Sequence, residues 1–325
     1  MLNLYKGDVI RWTTEYKGPK FHAMICDPPY YLDTMKKRFG KKGSAPPKHG
    51  EDGAFSRLAS GFLGQEWDTD IAFEISTWYY LGTLLHPGAI CMAYTHARTY
   101  HRIACAIEDA GFRIYPMIGW INAQGFPHPS KLIEYDGYYY NRNALKGAIE
   151  PIVVFQKEYE GTLKGNIKET GAGGFWIEGA RIQGETTIIN KLEGWSGFGE
   201  HKRPKYKTVI NERGRWPANV VVDAGVGDPY ENFFFTAKPN KKEKGENAHP
   251  TAKPITLNQH LATMILPPDD FKPRRLFNPF SGSGSEIIGA LNAGWEEVVG
   301  VELEQKYCDM AIERCKKAGY LNDKE

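Results

Sequence analysis

Phe21-His22-Ala23-Met24-Ile25-Cys26-Asp27-Pro28-Pro29-Tyr30 is the stretch on which the chain turns. Its first six residues are an unbroken apolar run and predict a buried strand. The run stops at the prolines, which have no N–H to give a sheet ladder. Asp27-Pro28-Pro29-Tyr30 therefore falls at the carboxyl end of a strand, where open α/β sheets place their ligands. The tetrapeptide offers a carboxylate, backbone carbonyls held by two fixed φ angles, and a flat ring. That set suits an NH2 on a planar ring: Asp27 and the Pro28 carbonyl accept its hydrogens and Tyr30 stacks. A strand-ending turn with an N-capping Asp is the plainer reading of the same residues.

A second strand-end loop lies far along the chain. Arg274–Phe277 reads as a strand. Asn278-Pro279-Phe280-Ser281-Gly282-Ser283-Gly284-Ser285 is a glycine loop opening a helix over Glu286–Ala293. Val298–Val301 is the next strand, ending in Glu302, and Gln305–Ala318 is a closing helix. Gly282 and Gly284 let a ligand approach the backbone, and helix N–H groups point at its polar end. Glu302 is placed to accept from ribose hydroxyls. The full GxGxxG of dinucleotide sites is missing, because Gly289 comes too late. This favours a ligand without a pyrophosphate, such as S-adenosylmethionine, with NAD as the alternative. Just upstream, in His249-Pro250-Thr251-Ala252-Lys253-Pro254, Thr251 and Lys253 can hold an amino-acid carboxylate. The same residues also serve as a lead-in to a helix over Thr256–Ile265, with Thr256 as N-cap.

Between the two loops, Tyr5–Trp12 reads as a short strand or turn. A helix is expected over Phe73–Leu85, stopped by Pro87-Gly88. Ala89–Tyr94 is a strand, Thr99–Ala110 a helix, and Arg113–Trp120 and Pro151–Gln156 are strands. The alternation predicts a doubly wound, mostly parallel α/β sheet. Residues 157–248 break the rhythm and read as an inserted recognition region. It separates a catalytic half (1–156) from a cofactor-binding half (249–325).

Two basic segments suit a polyanion, with a solvated charge run for the first and an ordinary exposed loop for the second as the plainer readings. Lys36, Lys37, Arg38, Lys41, Lys42 and Lys48 carry no acid among them and lie just after the tetrapeptide. Lys202, Arg203, Lys205, Lys207, Arg213 and Arg215 are interleaved with Phe198 and Tyr206, an arrangement that fits phosphate pairing with base stacking. Net charge is only +2 over 325 residues, so such contacts must be local. Five scattered cysteines form no CxxC pair, which speaks against a zinc site and fits a reducing cytoplasm. No stretch approaches a membrane span, and no signal-peptide pattern is seen.

In their order, these segments resemble the amino-methyltransferases of DNA in the permuted arrangement called the beta class. The likeness rests on Cys26 to Tyr30, Thr99 to Phe112, Gly125-Phe126-Pro127, Gly214 to Val220, His249 to Pro254 and the loop around Gly282. Several of these look like versions common in phage and prophage modification enzymes. The resemblance implies a Rossmann-like methyltransferase that moves a methyl group from S-adenosylmethionine to a flipped base in double-stranded DNA. Asp27, Pro28, Pro29 and Tyr30 would form the catalytic motif. Phe280, Gly282, Ser283, Gly284, Ser285 and Glu302 would bind the cofactor, with Thr251 and Lys253 near its methionine end and Asp8 facing its adenine. Asn278 departs from the family, which usually has Asp there; it accepts through its carbonyl oxygen without a charge. Asp at the first motif position favours adenine N6 over cytosine N4. The basic residues named above would meet DNA, no metal is required, and a homodimer is an admissible assembly. A ribosomal-RNA or protein-glutamine methyltransferase and an idle DNA-binding relative are the other classes. A cytosine C5 enzyme would need a Pro-Cys nucleophile, whereas Cys26 sits on the buried strand and reads as packing.

Overall fold

The six residues Phe21–Cys26 form a strand in which every side chain is buried, and the rest of the sheet is laid out to either side of it. A computed structural model describes residues 1–30, 70–122, 130–135, 138–140, 145–182, 186–191, 206–211, 213–223, 234–236 and 252–321. In chain order the elements are β1 (Leu2–Lys6), α1 (Val9–Glu15), β2 (Phe21–Cys26), α2 (Ile75–Thr83), β3 (Leu85–Tyr94), α3 (Tyr100–Asp109), β4 (Phe112–Ile114) and β5 (Ile118–Ile121). There follow β6 (Ser130–Tyr135), β7 (Tyr138–Tyr140), β8 (Ile149–Lys157), α4 (Leu163–Thr170), β9 (Thr186–Lys191), β10 (Tyr206–Asn211), β11 (Val220–Asp223) and β12 (Phe234–Thr236). The last are α5 (Ile255–Met264), β13 (Arg275–Pro279), α6 (Ser285–Asn292), β14 (Glu297–Glu302) and α7 (Gln305–Lys317).

The main sheet runs β1-β14-β13-β2-β3-β8-β5-β11-β12, with β4 also on β8. Only the pairings made by β8 are antiparallel; the others in this sheet are parallel. The expected mostly parallel α/β sheet is therefore present. Side chains alternate across it, as the pleat requires. Ala23 and Ile25 join a core with Leu257 and Leu261 of α5 and Ile287 and Ile288 of α6. Met24 and Cys26 join the opposite core with Trp78 and Leu81 of α2 and Ile103 and Ile107 of α3. Cys26 is thus core, and burial pushes its thiol far up, which makes it inert as a nucleophile.

Several local expectations are corrected. Within Tyr5–Trp12 the chain leaves β1 at Lys6 and enters α1, with the Asp8 side chain accepting from the Arg11 N–H as N-cap. Pro87-Gly88 does not stop a helix. α2 has already ended at Thr83, and the pair sits inside β3 at a register shift against β2. The Pro87 and Gly88 carbonyls that this irregularity takes out of the ladder accept from Asn166 Nδ2 at 3.0 Å and Gln156 Nε2 at 2.9 Å. Arg113–Trp120 is two strands, β4 and β5, both on β8. The N-cap of α5 is Pro254, not Thr256. Within the span 157–248, β11 and β12 extend the sheet beyond β5.

Candidate active site

β2 and β13 lie side by side in parallel, with Ala23 opposite Leu276 and Met24 opposite Phe277. Their carboxyl ends therefore emerge together, although Asp27 and Gly282 are 255 positions apart. Asn278 fastens the two strands: its Nδ2 donates to the Ile25 carbonyl at 2.8 Å.

At the end of β2, Asp27 is held at both oxygens. The Tyr30 hydroxyl donates to Oδ1 at 2.5 Å and Lys253 Nζ donates to Oδ2 at 2.7 Å. Lys253 also donates to the Tyr30 hydroxyl at 2.9 Å, so the three side chains close a triangle. Glu150 stands 3.6 Å from the same ammonium. The Lys253 side chain is only 3% exposed. Burial alone would pull its pKa down, but Asp27 and Glu150 outweigh burial and hold it above the usual lysine value. Burial, then Asp27 and Glu150, push the Tyr30 phenol well up, so it stays a donor.

Behind the triangle lies a second polar layer. The Tyr94 hydroxyl donates to Asn258 Oδ1 at 2.8 Å, and Asn258 Nδ2 donates to Glu286 Oε1 at 3.3 Å. Lys253 Nζ lies 5.0 Å from the Tyr94 ring centre and 5.2 Å from that of Tyr30, within cation–π reach of both. Burial, reinforced by the Asp27 charge, pushes the Glu286 carboxyl up to about 7.

The glycine loop curls tightly after β13. Phe280 and Gly282 have φ of 62° and 49°, and Gly284 has 78°. At Gly284 a Cβ would lie 2.9 Å from Ala311 Cβ, so only glycine fits both the space and the left-handed backbone. The Gly282 N–H donates to Glu302 Oε2 at 2.7 Å and the Glu304 N–H to Oε1 at 2.9 Å. Burial raises the Glu302 pKa above the usual carboxylate range. The parallel β1/β14 pairing aligns Lys6 with Glu302 and brings Asp8 to the same rim. Ser283 and Ser285 are buried, and Arg314 donates to both hydroxyls, at 2.8 and 3.1 Å.

The structure thus gathers Asp8, Asp27, Tyr30, Lys253, Asn278, Gly282 and Glu302 along one edge of the sheet. Thr251, Lys36, Lys37, Arg38, Lys41, Lys42, Lys202, Arg203 and Lys205 lie outside the described residues. Lys207 is in β10, opposite Asn190 of β9. Glu150, Tyr94, Asn258, Glu286 and Arg314 were not singled out by sequence reasoning. Glu150 alone carried a signal, an acid beside a proline at the start of a strand. That signal points to the crevice only once the strand is known to run backwards.

The residues also suit a cationic, ribose-bearing cofactor. Asn278 is fully buried, and its Oδ1 has no hydrogen-bond partner among the described residues. With its Nδ2 spent on Ile25, that oxygen suits an ammonium donor. Glu302 and the opened backbone at Gly282 suit a ribose.

The chain matches the DNA methylase family, in its N6/N4 amino-methylating form, over residues 21–313 and belongs to it. That family uses S-adenosylmethionine. YubD of Escherichia coli (strain K12), named as a candidate methylase, is 33% identical over 88 residues, a match covering 25% of this chain and 37% of that protein. Among solved structures, PvuII DNA methyltransferase, described as cytosine-N4-specific, aligns over 100% of this chain and 88% of its own with a TM-score of 0.51 and 14% identity. The complex of M1.HpyAVI with SAM aligns over 97% and 98% with a TM-score of 0.49 and 16% identity. At such identity the PvuII likeness speaks to the fold. Among the described residues no helix is long and apolar enough to cross a membrane, and no cluster of side chains could hold a metal.

Proposed function

We propose that this chain methylates the exocyclic amino group of adenine, at N6, within a specific sequence of double-stranded DNA. One observation carries the reading: the Asp27–Tyr30 tetrapeptide and the Gly282 loop leave adjacent parallel strands at one edge, so amine and methyl donor would share one crevice. The target base must leave the duplex, because its amino group is otherwise paired. Tyr30 then stacks on the flipped ring, leaving its bond to Asp27. Asp27 and the Pro28 carbonyl accept the two amino hydrogens. This turns the nitrogen lone pair out of conjugation with the ring. Glu302 and the backbone at Gly282 hold the ribose, and Asn278 Oδ1 accepts from the amino-acid ammonium. S-adenosylmethionine, when bound, supplies the electrophilic sulfonium methyl. The protein's contribution is placement and fixed dipoles rather than a covalent intermediate. The proton released by the methylated nitrogen leaves by way of the Asp27 carboxylate or solvent.

Sequence choice falls to residues 157–248, in the part not committed to β11 and β12. Lys36–Lys42 and Lys202–Lys207 supply phosphate contacts. The preference for adenine rests on Asp27 as the first residue of the motif, by the family's habit.

Expression in a host lacking its own DNA methylases, followed by modification-sensitive sequencing, tests the reading. N6-methyladenine in a fixed sequence context is the expected result. N4-methylcytosine would move the assignment to the other amino base. Tritium from labelled S-adenosylmethionine appearing in RNA or protein, with DNA unmarked, would overturn it.

A further inference from the structure

The ammonium of Lys253 has more anionic company than a cofactor contact would need. We propose that Lys253 is a positioning residue for methyl transfer, holding the Asp27 carboxylate in the rotamer that meets the amino group, with Glu150 sharing its charge. The inference rests on the reading of Asp27 as the amine acceptor.

A neutral carboxylic acid would turn an O–H towards the amine and present a donor where an acceptor is needed. Both carboxylate oxygens of Asp27 are held, Oδ1 by the Tyr30 hydroxyl and Oδ2 by Lys253. The buried Lys253 ammonium at 2.7 Å is a charged donor, a stronger tether for that oxygen than a neutral one. The geometry is particular to lysine. Its ammonium donates to Asp27 Oδ2 at 2.7 Å and to the Tyr30 hydroxyl at 2.9 Å, and the Glu150 carboxylate lies 3.6 Å away. Arginine would carry the same charge on a longer side chain with its donors fixed in one plane, so it would not reproduce this set of contacts. Each element around Lys253 contributes a titratable group. The end of β2 gives Asp27 and Tyr30, β3 gives Tyr94, and the turn after it gives His96, whose imidazole is pulled down by burial, Arg98 and Lys253. β8 gives Glu150 and α6 gives Glu286. Two carboxylates share one ammonium, Asp27 at 2.7 Å and Glu150 at 3.6 Å.

The test uses the full chain, tritium transfer from labelled S-adenosylmethionine to duplex DNA from a methylation-deficient host, and calorimetry with S-adenosylhomocysteine. Lys253→Met should lower kcat by roughly tenfold or more, the scale of losing a placed charge near a reacting group. It should move the acid limb of the pH–rate profile up by about one unit or more, with S-adenosylhomocysteine affinity within about twofold. Lys253→Arg should return the limb towards its original position while leaving kcat low, because charge is restored and geometry is not. The double variant Lys253→Met with Glu150→Gln removes one carboxylate along with the cation and guards against misfolding. It should stay slow with a shifted limb.

Affinity for S-adenosylhomocysteine lost tenfold by Lys253→Met with kcat unchanged would make Lys253 a cofactor contact and overturn the proposal. So would full activity in the double variant, which would reduce Lys253 to charge balance. An active wild type whose Asp27→Ala variant is equally active would instead remove the underlying reading of Asp27.

Discussion

The side-chain amide of Asn278 donates to the main-chain carbonyl of Ile25 at 2.8 Å, across 253 positions of sequence. This bond ties the strand that carries the glycine loop to the strand that carries the tetrapeptide. An aspartate at this place, as the resemblance to the family would suggest, has no hydrogen to give. Asn278→Asp should set a carboxylate oxygen against the Ile25 carbonyl in a fully buried position. The ligand-free protein should lose about 1–3 kcal/mol of stability, the usual range for an unsatisfied buried acceptor. Urea unfolding without cofactor measures it, and an unchanged midpoint would show that the carboxylate finds another donor.

Asp27→Ala removes the acceptor of the amine and leaves the glycine loop alone. Methyl transfer to DNA should fall by on the order of 10²-fold or more, the scale of deleting one placed polar group in an active site. Calorimetry with S-adenosylhomocysteine should show binding retained. Near-normal turnover would exclude Asp27 from the chemistry.

Glu286 makes stability depend on pH in a direction that can be worked out. Burial and the Asp27 charge raise its carboxyl to about 7, so between the unfolded value and 7 the native state holds more protons than the unfolded state. Its stabilising contribution is complete below the unfolded value and lost as pH rises through about 7. His22 and His260, both lowered by burial to about 4, act in the opposite sense over the acid part of that interval. The wild-type curve alone therefore conceals the effect, and comparison with Glu286→Gln isolates it. Relative to wild type, the variant should gain on the order of 1–3 kcal/mol as pH rises from 4.5 to 7.5. Parallel curves would mean that Glu286 is ionised throughout.

Lys202, Arg203, Lys205 and Lys207 changed together to Ala should flatten the dependence of log K on log salt by up to about 0.9 per lost phosphate contact on duplex DNA. S-adenosylhomocysteine binding should be unaffected, because the glycine loop belongs to a different segment. The preferred sequence should be retained where the contacts are to phosphate only. An unaltered slope in a folded variant would transfer the role to the Lys36–Lys42 segment.

How legible the site was depended on how local each signal is. Phe21–Cys26 was readable because an apolar run closed by two prolines admits few alternatives. The Gly282 loop was readable because glycine spacing carries its own geometry. Strand direction has no such mark: Pro151–Gln156 has the same composition whether it runs up or down, so neither its antiparallel course nor the arrival of Glu150 beside Lys253 was foreseeable. Glu286 looked like an ordinary first-turn acid, and Asn258 and Tyr94 like helix and strand interior. Their hydrogen bonds join segments 28 and 164 positions apart, and only the folded sheet brings these together. α1 was missed because, at seven residues, it is too short to show a helical period. Pro87-Gly88 was misjudged because a bulge whose carbonyls are met by Gln156 and Asn166 excuses a proline inside a strand.

β8 reverses the geography of its part of the sheet. In its parallel neighbours the ligand edge is reached by the segment that follows a strand; in β8 it is reached by the segment that precedes one. The Thr95 N–H bonds to the Pro151 carbonyl at 2.9 Å at that edge, while Arg113 pairs with Glu158 at the opposite rim. Anyone wishing to reshape the pocket wall on this side should therefore graft new residues ahead of Ile149, around the exposed Leu145. The same graft placed after Lys157 would decorate the far side of the molecule and leave the crevice untouched.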